Sequence, residues 1–231
     1  MRQIFLMTFL LLFSGQMKAQ NYREDFDHIR NAFNSSDKAL AFDISFRYYP
    51  NASTKIATDS MFGQFVVRGS SYSYKLADLE LISNDHYYTA INHKEHTITI
   101  ENRKDIVPQF SFAMIDSFAS LRGVKVNALP AKLNLKGYDI EGLQGDISSC
   151  EVWFNPGTYR ISTVTLHYPP NAVNASSDRA KVVISYNNYH YHTISNEFSE
   201  NKYVTRVGMQ WQQTSAYHTY RLVDHTMLIN Q

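Results

Sequence analysis

The sequence predicts a mainly antiparallel β fold with a few helices, in the α+β class, and three observations carry that expectation. Over residues 61–103, Tyr72, Tyr74 and Leu76 alternate with Ser73 and Lys75, Ile98 and Ile100 alternate with Thr97 and Thr99, and Met61, Phe65 and Val67 share one side. That period of two belongs to pleated strands with two unlike faces. Leu40, Phe42, Ile44, Phe46 and Tyr48 alternate as strictly with Ala41, Asp43, Ser45, Arg47 and Tyr49. The chain is also rich in rings, with 16 Tyr and 14 Phe, which suit strands because one end of the side chain is apolar and the other can stay wet.

Taken in order, residues 1–19 read as a secretory signal peptide, with the apolar run 4–13 behind Arg2 and cleavage near Ala19. The run is shorter than the roughly 20 apolar residues of a spanning helix, so no stable membrane insertion is expected after cleavage. No cysteine follows it, so the chain is expected to carry no N-terminal lipid of its own. Residues 21–231 are expected to form a single β domain, periplasmic or secreted. Net charge is +1 without a basic block, which excludes an electrostatic footprint for nucleic acid. Cys150 is the sole cysteine, so no disulfide framework is possible and a buried small hydrophobe is expected there.

Tyr22, Phe26, Ile29 and Phe33 fall at i, i+4, i+7 and i+11, which predicts a helix over 21–37 with Glu24 and Asp25 in its first turn. The strand from Leu40 follows and ends at Pro50, and a polar connection leads to the meander. Gly69 with Ser70, Asn84 with Asp85, and residues 92–95 supply its reversals. Phe110, Met114, Phe118 and Leu121 predict a second helix between Val107 and Gly123, punctuated by Pro108. A hairpin is expected around Lys136 and Gly137. Cys150, Val152 and Phe154 mark a strand before the turn at Asn155, Pro156 and Gly157, and a strand over 159–168 precedes a polar loop over 171–179. Residues 181–192 predict a long strand with Val182, Ile184 and Tyr186 on one side and Val183, Tyr189 and Tyr191 on the other. Residues 203–213 and 217–223 complete the chain as two further strands.

Catalytic and metal chemistry find little support. His93 with His96, and His190 with His192, are close in sequence, but zinc needs three or four ligands and no cysteine pair, HExxH helix or acidic cluster accompanies them. Gly69-Ser70-Ser71 reads as a turn, not a nucleophile elbow, and Asp78 with Glu80 would be two carboxylates on one strand face. The chain is therefore expected to be no enzyme and to need no cofactor.

Gly63, Phe65 and Val67, then Tyr72 and Tyr74, then Asn84, Asp85, Tyr87 and Tyr88, then Thr97 to Ile100 fall in a characteristic order along the meander. With the order of the elements around them, they give the chain a pattern that resembles the LolA-like periplasmic carriers of outer-membrane lipoproteins. The resemblance implies a half-open β-barrel under a helical lid and an apolar cavity for lipid or lipoprotein cargo. Membrane-bound donor and acceptor proteins would be further partners. The cavity candidates are Phe42, Ile44, Phe46, Phe65, Val67, Ile98, Ile100, Met114 and Phe118, on a face that can be either a packed core or a lined cavity. The alternative is an exported carbohydrate-binding or surface-assembly module using Tyr72, Tyr74, Tyr87, Tyr88, Tyr189, Tyr191, Trp153 and Trp211 as platforms.

Overall fold

A computed structural model describes residues 22–33, 38–51, 53–103, 112–169, 179–192 and 196–226. The signal peptide at 1–19, Pro108, Phe110 and the loop 171–178 lie outside the described residues. The α-helices among the described residues are α1 (Tyr22–Phe33) and α2 (Phe112–Ala119), and the stripe predicted for α1 is the one that packs, with Phe26, Ile29 and Phe33 buried.

Among the described residues, twelve strands make one sheet. In chain order they are β1 (Ala39–Tyr49), β2 (Asp59–Arg68), β3 (Ser71–Leu76), β4 (Leu79–Ser83), β5 (Tyr87–Asn92), β6 (Thr97–Asn102), β7 (Lys125–Lys132), β8 (Leu135–Glu141), β9 (Ser149–Phe154), β10 (Ile161–His167), β11 (Lys181–His192) and β14 (Arg221–Asp224). A two-stranded ribbon is made by β12 (Val204–Val207) and β13 (Gln210–Gln213). The sheet order is β14-β6-β5-β4-β3-β2-β1-β11-β10-β9-β8-β7, antiparallel except for β14 on β6. It is an open sheet, not closed into a barrel, with β14 and β7 as its two ends.

Three turns differ from the sequence expectation. The hairpin expected around Lys136 and Gly137 reverses instead at Leu133 and Asn134, both at positive φ, so Lys136 and Gly137 lie inside β8. Paired positive φ values match the twist of a tight hairpin, and here two residues without glycine adopt them. Residues 203–213 are not one strand, because Gly208 at φ +65° lets β12 fold back on β13. Ala77 and Asp78 form a turn between β3 and β4, which removes Asp78 from the strand face of Glu80.

The sheet has two covered faces. On the first, α1 and Ile115 of α2 pack over Phe42, Ile44, Phe65, Tyr138, Val152, Phe154 and Ile184 in the larger core. On the second, at the β4–β6 end, Phe198, Tyr203, Val204 and Trp211 cover Ile82, Ile91, Ile98 and Ile100.

Register decides which face each side chain serves. Starting from Phe42, directly paired residues run Phe42, Phe65, Tyr74, Leu81, Ala90 and Thr99 across β1 to β6. The helix-covered face of β6 is therefore threonine, and Ile98 and Ile100 project from the other side. The sequence expectation that they share a face with Phe42 and Phe65 is corrected by that count. A bulge makes a second correction: Asp43 pairs with Asn187 but Ala41 with His190, and Asn188 sits at φ +53°. The extra residue reverses the alternation, so Tyr189 returns to the face of Tyr186 and packs on Phe42 at 5.1 Å between ring centroids.

Candidate functional site

The helix-covered face is a packed wall along most of its length. Phe42 stacks on Phe65 at 5.2 Å, Phe65 lies 5.8 Å from Tyr74, and Phe33 of α1 meets Phe42 edge-on at 5.7 Å. Phe26 meets Tyr138 edge-on at 5.7 Å. Offset and edge-on ring pairs of this kind add to simple burial. Phe42, Ile44 and Phe65 are buried in this wall, and Val67, Met114 and Phe118 are partly buried against it.

The same face continues at one end as two apolar rungs. One rung is Val164, Ile184, Phe46 and Met61, and the next is Leu166, Val182, Tyr48 and Asp59, each crossing β10, β11, β1 and β2 in direct register. Between these rungs and Tyr168 lies a groove of about 190 Å³, lined by Phe46, Tyr48, Met61, Leu166, Val182 and Ile184 among others. Met61 is 43% exposed and Tyr48 40%, so the groove is open at its rim, while Phe46, at 6%, forms its floor.

The nine cavity candidates do not line one space. Phe46 alone reaches the groove; Phe42, Ile44, Phe65, Val67, Met114 and Phe118 belong to the wall beside it, and Ile98 and Ile100 to the second core. Met61, Leu166, Val182 and Ile184 were absent from the expected set. Their signal was the alternation of residues 181–186 and of the strand at 159–168, but the pairing of β1 with β11 joins residues more than 130 positions apart and is not visible locally.

The aromatic platforms are dispersed as well. Tyr72, Tyr74, Tyr88 and Tyr189 belong to the larger core, Tyr87 meets Trp211 edge-on at 5.0 Å in the second, and Trp153 lies over Gly137 on the outer side of β9. Cys150 is buried, and burial pushes its thiol up to about 12, so it is a packing residue rather than a nucleophile. No group of three or more metal-ligating side chains occurs among the described residues.

Polar chemistry concentrates at Glu80, on the second face. Its carboxylate lies 3.1 Å from Lys202 Nζ, 3.4 Å from Lys75 Nζ and 3.4 Å from His93 Nε2. His93 Nδ1 is 2.9 Å from the Tyr220 hydroxyl, and His96 stacks on the same ring at 4.9 Å. Burial pushes the Glu80 carboxyl up, but hydrogen bonds from Tyr203 and Lys202 and the charges of Lys202 and Lys75 outweigh it and hold it below the ordinary value. The cluster thus pins the C-terminal segment to the meander.

A pH dependence follows from that lowered value. The folded form is favoured when Glu80 is ionised, so its contribution is fully present above the ordinary carboxylate range and is lost as pH falls through the depressed value. Acidification should release the C-terminal cover, read from Trp211 fluorescence in a Trp153→Phe background. Glu80→Gln should lower stability at neutral pH by about 1–3 kcal/mol and flatten that acid transition; an unchanged transition would assign the release to other groups.

No protein-family model matches the chain, and no curated protein matches it. Among solved structures, an uncharacterized conserved protein from Thermus thermophilus is similar over 89% of this chain and 100% of its own, at 6% identity and a TM-score of 0.53, which is a likeness of fold. The chain is loosely similar to a LolA superfamily protein from Nitrosomonas europaea, over 78% of this chain and 97% of that one, at 8% identity and a TM-score of 0.37. A DUF1329 family protein from Desulfovibrio piger is similar over the same shares at 8% identity and a TM-score of 0.39. No helix among the described residues is long and apolar enough to cross a membrane.

Proposed function

We propose that the chain is an exported, non-enzymatic carrier or binding protein for lipid acyl chains or lipoproteins, and that the groove at the end of the helix-covered face receives the chain end. The observation that carries this reading is the continuation of the apolar rungs beyond the packed wall, at Phe46, Met61, Leu166 and Val182, into open space. The signal peptide read over residues 1–19 would deliver the domain to the periplasm, where membrane-bound donor and acceptor proteins are the partners such carriage needs. The groove's 190 Å³ is smaller than the roughly 300–1,000 Å³ of sites that enclose a whole small ligand. It seats the end of one chain and leaves the polar end outside. Each methylene withdrawn from water contributes about 0.8 kcal/mol, so affinity should climb with chain length and level off once the groove is full.

Native mass spectrometry of protein purified from its own periplasm, with uptake of the uncharged fluorophore N-phenyl-1-naphthylamine, tests the reading. Met61→Glu places a carboxylate on the groove wall at a position exposed enough to keep the fold, and should weaken uptake at least about tenfold, since a charge there must lose water to admit the chain. Absence of both copurifying lipid and fluorophore uptake in the unaltered protein would sink the proposal.

A further inference from the structure

The outer rung of the groove is apolar for three strands and then stops being so. Leu166, Val182 and Tyr48 pair across β10, β11 and β1, and the next residue in register is Asp59, the first of β2. Asp59 is the one charged side chain among the described residues that line the groove. Its carboxylate Oδ1 accepts a hydrogen bond from the Ser60 backbone N–H at 2.7 Å and is otherwise exposed at the mouth. Two nearby cations, Lys181 and Arg47, serve the other side of the sheet. Lys181 pairs with Tyr49 and lies over its ring at 5.3 Å, and Arg47 pairs with Val183, both one step out of phase with the groove rungs.

We infer that the groove takes a single alkyl or acyl chain whose polar end carries no negative charge, and that Asp59 makes this selection. The inference rests on the lipid-binding reading above and names the class of lipid. A chain lying along the rungs with its end on Phe46 brings its polar head to the mouth, beside a negative charge with no cation among the described lining residues to offset it. An alcohol, ester, amide or amine head meets the Asp59 carboxylate and the Tyr48 and Tyr168 phenols as hydrogen-bonding or opposite-charge partners. A free carboxylate head meets repulsion. An acyl chain in ester or amide linkage, as on a lipid-modified protein, satisfies the selection; a free fatty acid does not.

Displacement of N-phenyl-1-naphthylamine at pH 8 by three twelve-carbon competitors tests this: dodecanol below its solubility limit, and dodecyltrimethylammonium and dodecanoate below their micelle concentrations. Dodecanoate should compete at least about fivefold more weakly than dodecanol, the ratio that two like charges at about 4 Å produce even under water-like screening. The cationic competitor should equal or exceed dodecanol. The gap should narrow in 1 M salt, where the screening length is about 3 Å, and a merely steric preference would not move with salt. Asp59→Asn, which keeps the acceptor for Ser60, should abolish the gap, and Asp59→Lys should reverse it. Equal displacement by dodecanol and dodecanoate in the unaltered protein overturns the inference while leaving lipid binding in place. Failure of the fluorophore and all three competitors to bind removes both.

Discussion

Asp25→Ala is expected to cost about 3–4 kcal/mol and to loosen α1 before the sheet. Asp25 sits in the first turn of α1, where a carboxylate is favoured by the positive end of the helix dipole, and it is buried against β8. There it meets Lys136 Nζ at 2.6 Å and accepts a hydrogen bond from the Tyr138 hydroxyl. Tyr138 is fully buried, and burial together with the Asp25 carboxylate raises its phenol well above the usual tyrosine range. Removing Asp25 strands a buried hydroxyl and leaves Lys136 without its partner in a half-dry place; breaking such a pair from one side costs about 3–5 kcal/mol when both members are deeply buried. Lys136 keeps 27% of its side chain exposed and can turn toward water, which places the expectation at the lower end. Asp25→Asn retains an acceptor for Tyr138 and should cost less, and Asp25→Leu combined with Lys136→Met should recover most of the loss. Chemical denaturation gives the magnitudes, and hydrogen exchange shows whether α1 opens first. An Asp25→Ala protein as stable as its parent would mean that α1 is held by Phe26, Ile29 and Phe33 alone.

The clamp also sorts what was legible in the sequence from what was not. The stripe of α1 and the alternation of β1 could be read because each is a local period imposed by one neighbouring surface. The meander could be read for the same reason, since Gly69, Asn84 and Asn92 mark its reversals. Asp25 was visible only as a first-turn acid, because its partner lies on a strand more than 100 residues away. Parity was lost in the same way: Ile98 and Ile100 alternate perfectly, yet the face they serve depends on every turn between β1 and β6, including the one at Ala77 and Asp78 that carries no glycine or proline. The bulge at Asn188 shifted Tyr189 by the same mechanism. The groove is assembled from Phe46, Met61, Leu166 and Val182 on four strands, so no window of sequence contains it. β14 adds to β6 in parallel, a pairing that nothing in its four residues specifies.

Gly63→Ala is expected to be the most damaging of the glycine substitutions, and for lack of space rather than backbone freedom. Gly63 lies in β2 between Ile44 of β1 and Leu76 of β3, on the rung that separates the packed wall from the groove. A methyl group there would overlap the carbonyl oxygen of Lys75 and lie 3.1 Å from Leu76 Cδ1. The carbonyl belongs to β3 and cannot rotate aside, so relief requires β2 and β3 to separate, breaking ladder hydrogen bonds at the sheet's centre. Overpacking ordinarily costs about 1–3 kcal/mol, and Gly63→Ala should reach or pass the top of that range. Gly137→Ala also meets a crowded site, with a methyl 2.6 Å from the Trp153 ring, but an indole on the outer side of β9 can shift and the loss should be smaller. At Gly69 nothing lies within 4 Å, and the cost reduces to placing a side chain at φ +55°, about 1–2 kcal/mol. Denaturation midpoints should therefore fall most for Gly63, less for Gly137 and least for Gly69. Fluorophore uptake should fail only in the Gly63 variant, because β2, which carries Met61 of the groove wall, must shift to relieve the overlap. If Gly63→Ala proved no worse than Gly69→Ala, the close approach of β3 to β2 at this rung would be wrong.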